Sequence, residues 1–164
     1  GILKRLRGAP ISRHSDSYGL RFAPQPPYSV LATAHMDFPT LQRLTRFARY
    51  WDLIANSGRF AHTLPLLLGD DPFARFLQLS DWLYAQTQQT HRIALSRLFE
   101  LLHDALTDVF TLDADSVLAA LAHDCAVHGF KGCPRFLHDC LRSLDVPTGD
   151  TPRAPARQAR HLRA

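Results

Sequence analysis

Cys125, His128, Cys133 and His138 fall within fourteen residues and are of the types that ligate zinc. Zinc sites draw their ligands mostly from close pairs, and neither a CxxC nor an HxxxH pair occurs here. Cys125 shares a helical stripe with Leu118 and Leu121, which makes it a core cysteine, so no metal ligand is assigned. Nucleophilic catalysis needs Ser or Cys beside a His and an orienting acid. No GxSxG elbow selects such a set from the nine histidines, and no catalytic residue is assigned. The acidic pairs Asp70–Asp71 and Asp113–Asp115 sit where helices should start, and the eight glycines form neither a GxGxxG nor a GxxxxGK phosphate cradle. No cofactor-binding residue follows from the pattern.

Contact chemistry is better represented. Arg43, Arg46 and Arg49 form a stripe with Arg59 downstream, which reads as a solvated helix face. His14, His35, His62 and His91 lie near loops and helix ends. The segment 49–60 gathers aromatic, amide, glycine and arginine groups at a helix end and its exit, where a loop can present them to a neighbour.

These side chains need elements to position them. Leu41, Leu44, Ala48, Trp51 and Ala55 recur at helical spacing, with Asp37 as N-cap and Gly58 as stop. A second helix starts at Asp71–Pro72 and carries apolar residues almost all the way round, from Phe73 to Tyr84, so it should be the most buried. A third spans about 89–110 with Leu98, Phe99, Leu102 and Leu106 on one arc. A fourth follows Asp113 to near Gly129 with Val117, Leu118, Leu121 and Cys125 inward; a fifth starts at Pro134 and turns Phe136, Leu137, Cys140 and Leu141 to the core. Before them, Pro10, Pro24, Pro26 and Pro27 forbid a helix, leaving an extended arm. Within the arm, Ile2–Leu6 and Ser29–Ala32 are strand-like but have no evident partner strand. A lone strand leaves its backbone groups unsatisfied, so the start at Gly1 reads as a cut inside a larger protein.

The expected fold is therefore all-α, an irregular bundle of about five helices behind an arm holding one or two short strands. The expected division is an arm at 1–34, a helical domain at 35–145 and a basic tail at 146–164. At 164 residues and 46% hydrophobic, the chain can build one core. Of its 19 Lys and Arg, four (Arg153, Arg157, Arg160, Arg163) lie in the tail, and the other 15 balance the 15 Asp and Glu. The body is close to neutral, which argues against nucleic acid as a partner. The apolar run Leu64–Leu68 is far short of the roughly 20 residues that cross a bilayer, so no membrane partner is expected. An odd cysteine count fits a reducing compartment, and the expected location is the cytoplasm.

LysArgLeuArgGlyAlaPro at 4–10, TyrGlyLeuArgPhe at 18–22, ProProTyrSerValLeu at 26–31 and AsnSerGlyArgPhe at 56–60 together resemble the C-terminal helical region of cobalamin-binding radical SAM proteins, the Fe-S oxidoreductase-like family. The resemblance extends to about Leu144. It implies a parent enzyme using a [4Fe-4S] cluster, S-adenosylmethionine and cobalamin, with this chain as a non-catalytic accessory domain. Its partners would be the barrel and the cobalamin-binding domain of the same polypeptide. The family's CxxxCxxC loop and the DxHxxG signature are absent, so the resemblance implies no cofactor in this piece. The arm would continue from the barrel and leave Ile2, Leu3, Leu6 and Tyr28 bare, a surface that dimerisation of the isolated piece could cover. The substrate-facing or interdomain edge would lie at Arg13, His14, Tyr18, Arg21 and Tyr28, and at Asn56, Ser57, Gly58 and Arg59. The alternative is an independent helical module that binds protein or nucleic acid through Arg43, Arg46, Arg49 and the tail.

Overall fold

The computed structural model describes residues 2–127 and 132–143. Gly1, residues 128–131 with His128 and Gly129, and everything from Leu144 on, including the tail arginines, lie outside the described residues. The chain is mainly helical and divides into two compact units, which cut across the expected arm and helical domain. One holds the residues up to Ser57 with Asp70–Arg92, the other Gly58–Gly69 with the chain from Ile93 on.

In the first unit the arm folds on itself. Strand β1 (Arg21–Phe22) runs antiparallel to β2 (Val30–Ala32), with Arg21 opposite Ala32 and Phe22 opposite Val30. On the other edge of β2, Lys4 bridges Ser29, Arg5 N–H donates to the Tyr28 carbonyl (2.9 Å) and Val30 N–H donates to the Leu3 carbonyl (2.9 Å). Both strand-like segments thus find partners within the chain, which corrects the expectation of an unpaired strand. The partner was hidden because β1 is only two residues long and the pairing to Ile2–Leu6 returns over more than twenty residues. A 3-10 turn at Pro10–His14 interrupts the arm.

Helix α1 (Phe38–Ile54) is capped by Asp37, whose carboxylate accepts from Thr40 N–H (2.9 Å), and Pro39 suits its first turn. Because Pro lacks a donor, it costs nothing where helical N–H groups have no partner. A short helix α2 (Thr63–Leu68) follows in the second unit. Helix α3 (Pro72–Thr87) repeats the cap with Asp71, which accepts from Ala74 N–H (3.0 Å). In the first unit, α1 and α3 pack through Phe47, Trp51 and Phe76, with ring centroids 5.0 Å (Phe47–Phe76) and 4.7 Å (Trp51–Phe76) apart. The buried residues of α1 are Leu41, Tyr50 and Ile54; Arg43 and Arg49 are exposed as expected, but Arg43 pairs with Asp81 and the half-buried Arg46 places its guanidinium 4.5 Å from the Tyr84 ring centre. On α3 the buried stripe is Phe76, Leu79, Ser80 and Leu83, while Phe73 is exposed, so the helix is not apolar-buried all round.

The expected helix from 89 begins instead at Leu95. Gln88 and Arg92 adopt left-handed backbone (φ 52° and 58°), and the Gln89 carbonyl accepts from Tyr50 and Thr87 hydroxyls rather than from a helical amide. In the second unit, α4 (Leu95–Asp104) widens into a π turn at Ala105–Val109, and α5 (Ala114–Val127) is capped by Asp113 through Ser116. Leu98, Leu102, Leu106, Val117, Leu121 and Leu137 form the core of this unit together with Phe60 and Phe99, whose rings are 4.9 Å apart. A 3-10 turn (Arg135–Leu137) leads into α6 (His138–Ser143); Leu137 is buried, but Phe136 is exposed against His103.

Candidate functional site

The residues expected to face a substrate or neighbour do not form one site. In the arm, Ala34 N–H donates to the Tyr18 carbonyl (2.9 Å), and Tyr18 N–H donates to the His14 carbonyl (3.1 Å). Gly19 is required at this turn: its φ is +58°, and a Cβ there would stand 3.0 Å from the Ala34 nitrogen. The His14 and Tyr18 rings have centroids 6.1 Å apart, and Arg21 lines a cleft of about 620 Å³ with Thr33, His35 and Asp37. Arg13 is exposed on the preceding turn. Tyr28 belongs elsewhere, next to the Arg5 segment, and is 37% exposed near Leu3 (42%) and Leu6 (64%).

The second expected edge is divided. Asn56 and Ser57 close α1: Asn56 Nδ2 donates to Asp52 Oδ1 (2.7 Å), and Ser57 Oγ donates to the Ile54 carbonyl (3.1 Å). Gly58, with φ +71°, and the exposed Arg59 belong to the second compact unit. Two clefts flank α1 within the first unit. One, of about 380 Å³, runs between the arm (Ile2, Lys4, Val30) and Leu41, Arg49 and Asp52; the other, of about 400 Å³, is walled by Phe47, Trp51, Pro72 and Phe73. Ala48 and Asp52 line both, so the two clefts share a wall. Phe73 is the member that sequence reasoning missed. The apolar pattern of its helix reads as burying it, and its distance along the chain from Trp51 leaves no local signal.

Cys125 is buried, as a core cysteine should be, but it is not a free thiol. Cys125 and Cys133 are joined as a disulfide, Cys140 is the free thiol, and His138 Nε2 donates to the Cys133 carbonyl (3.2 Å). An odd count does not prevent two of the three cysteines from pairing, so the compartment argument drawn from that count loses its basis. Among the described residues no group of three or more His, Cys, Asp or Glu could hold a metal ion. A [4Fe-4S] cluster needs three thiolates, and with two of the three sulfurs bonded to each other the residues present do not fit one. No helix among the described residues is long and apolar enough to cross a membrane.

A family model described as a protein of unknown function, DUF4080, matches residues 16–146. The chain belongs to the DUF4080 family. The match takes in β1, β2 and α1–α6 of this DUF4080 chain, and starts after the 4–10 segment that carried part of the resemblance. No curated protein matches this DUF4080 chain, and no solved structure does.

Proposed function

We propose that this chain is a non-catalytic accessory domain of a cobalamin-dependent radical SAM enzyme and docks on the barrel of that enzyme through its N-terminal arm. The observation that carries the reading is the exposure of Leu3, Leu6 and Tyr28 on a segment whose backbone is held by pairing to Tyr28–Val30. Large apolar side chains on an ordered, hydrogen-bonded ladder form a preset surface, and exposed apolar clusters of this kind mark contact sites. The order and spacing of the segments at 4–10, 18–22, 26–31 and 56–60 support the choice of partner. In this reading the cluster, S-adenosylmethionine and cobalamin reside in the other domains, and the polar residues His14, Tyr18, Arg21 and Asn56 lie at edges that could meet substrate. The competing basic-face module is less well supported, because Arg43 and Arg46 are engaged by α3.

The test is to read the genomic frame upstream of Gly1, express the longest product without oxygen, and compare its iron, sulfide and cobalamin with those of this chain. Iron and cobalamin in the long product alone are expected. A native start near Gly1, with no cofactor in either product, overturns the reading. Within the long product, Leu3→Glu with Leu6→Glu should release this domain to limited proteolysis while leaving cofactor content unchanged. Alanine at Tyr18, Asn56 and Arg59 should alter turnover, and unchanged turnover would remove these residues from the substrate edge.

A further inference from the structure

We infer that the cleft between α1 and the start of α3 is a binding site for an organic ammonium ion, with Asp52 as counter-ion and Trp51, Phe47 and Phe73 as its aromatic wall. The cleft measures about 400 Å³, within the size range of small-ligand sites. Its wall is unusual for the surface of a small unit. Phe47 stacks on Trp51 (centroids 5.8 Å apart, planes within 9°), Phe47 and Phe73 are 5.5 Å apart, and Phe73 is 57% exposed. An exposed aromatic ring at the first turn of a capped helix contributes little to the core, so the fold itself does not account for it.

The single charged group in this wall is a carboxylate. Asn56 Nδ2 donates to Asp52 Oδ1 (2.7 Å) and fixes its orientation at the rim. The ion pairs among the described residues are Arg43–Asp81, Arg97–Glu100, His103–Asp104 and Arg142–Asp139; none involves Asp52, and Arg49 one turn back lines the neighbouring cleft without pairing to it. Aromatic faces and a carboxylate both attract positive charge, and the attraction grows where ring walls displace water. An anion would be repelled, and a neutral apolar ligand would desolvate Asp52 without giving it a partner. A compact metal cation is a poor fit, since one carboxylate and one amide supply too few oxygens for a hard ion. What remains is a cation with an apolar shell: a quaternary amine, free or as a methylated lysine side chain. This site stands apart from the docking surface on the arm and does not depend on that reading.

The test uses the full chain carrying Trp82→Phe, so that Trp51 is the remaining indole. Its emission is followed during titration with choline, with trimethyllysine amide, and with the uncharged isostere of choline in which carbon replaces nitrogen. Saturable quenching by the two cations is expected, with the isostere at least about tenfold weaker. Asp52→Asn and Phe73→Ala, both at exposed positions and checked for native far-UV circular dichroism, should each weaken choline by about three- to tenfold. A tighter response to trimethyllysine amide than to choline identifies a peptide side chain as the better-fitting source, and the reverse identifies a free amine; either supports the site. Equal binding of choline and its isostere overturns the inference, as does binding that survives both substitutions, or no saturable response to either cation.

Discussion

Asp124 shows how much one residue can carry. It is 1% exposed, and its carboxylate accepts from His62 N–H (2.8 Å), Thr63 N–H (2.9 Å) and Thr63 Oγ (2.6 Å). A buried carboxylate is costly unless hydrogen-bonded, and here the bonds go to the amides at the start of α2 that a helix leaves unpaired. Asp124→Ala would strand these donors in the interior, and a loss of about 2–4 kcal/mol is expected in urea unfolding. The exposed caps behave differently. Hydrogen bonds from the Thr40 side chain and then its backbone hold Asp37 below the ordinary aspartate pKa, and the Ser116 hydroxyl and then its amide do the same for Asp113. Lowered folded-state values mean stability present above about pH 4 and lost as pH falls through them. The urea midpoint should therefore drop on acidification below about pH 4, and should drop less in the Asp37→Asn, Asp113→Asn double variant, where neutral amides keep the caps.

At the scale of elements, the α1–α3 contact is set by residues that do not look alike. Tyr50 is buried and its hydroxyl donates to the Gln89 carbonyl (2.6 Å), while Phe76 meets both Phe47 and Trp51. Tyr50→Phe should cost only about 1 kcal/mol, because Thr87 Oγ still donates to the same carbonyl (3.0 Å). Phe76→Ala removes a whole ring from the contact and should cost about 3–5 kcal/mol by the same measurement. Burial raises the Tyr50 phenol above its ordinary pKa, partly offset by its hydrogen bond with Thr87. The neutral phenol's contribution is therefore fully present below about pH 10 and is lost as pH rises through the raised value, which phenolate absorbance can follow.

For the molecule as a whole, the chain divides into two compact units, and each has its own tie. In the first, the arm is laced to β2; in the second, the Cys125–Cys133 disulfide closes a loop of sequence separation 8. Closing a loop of that length restricts the unfolded chain by about 2.5 kcal/mol. Reduction, or the double Cys125→Ala, Cys133→Ala variant, should lower unfolding stability by about that amount. Cys140→Ala, at the free thiol, should leave the oxidised protein's midpoint unchanged.

The sequence by itself determined the mainly helical class and the starts of α1, α3 and α5, because Asp37, Asp71 and Asp113 each bond an amide three residues ahead. A partner that close is written into the local order of residues. It also marked Asn56 as a residue poised at a helix exit. Only the tertiary structure decided the rest. Helix α2 was legible merely as an apolar run, since its cap, Asp124, lies 61 residues from Thr63. The partners of both strands, the pairing of Cys125 with Cys133, the engagement of Arg43 and Arg46, and the meeting of Phe73 with Trp51 and Asp52 are likewise distant in sequence. The same residue types could satisfy many pairings at such separations. Which pairing forms depends on where the packed helices bring the chain back, and no local spacing records that.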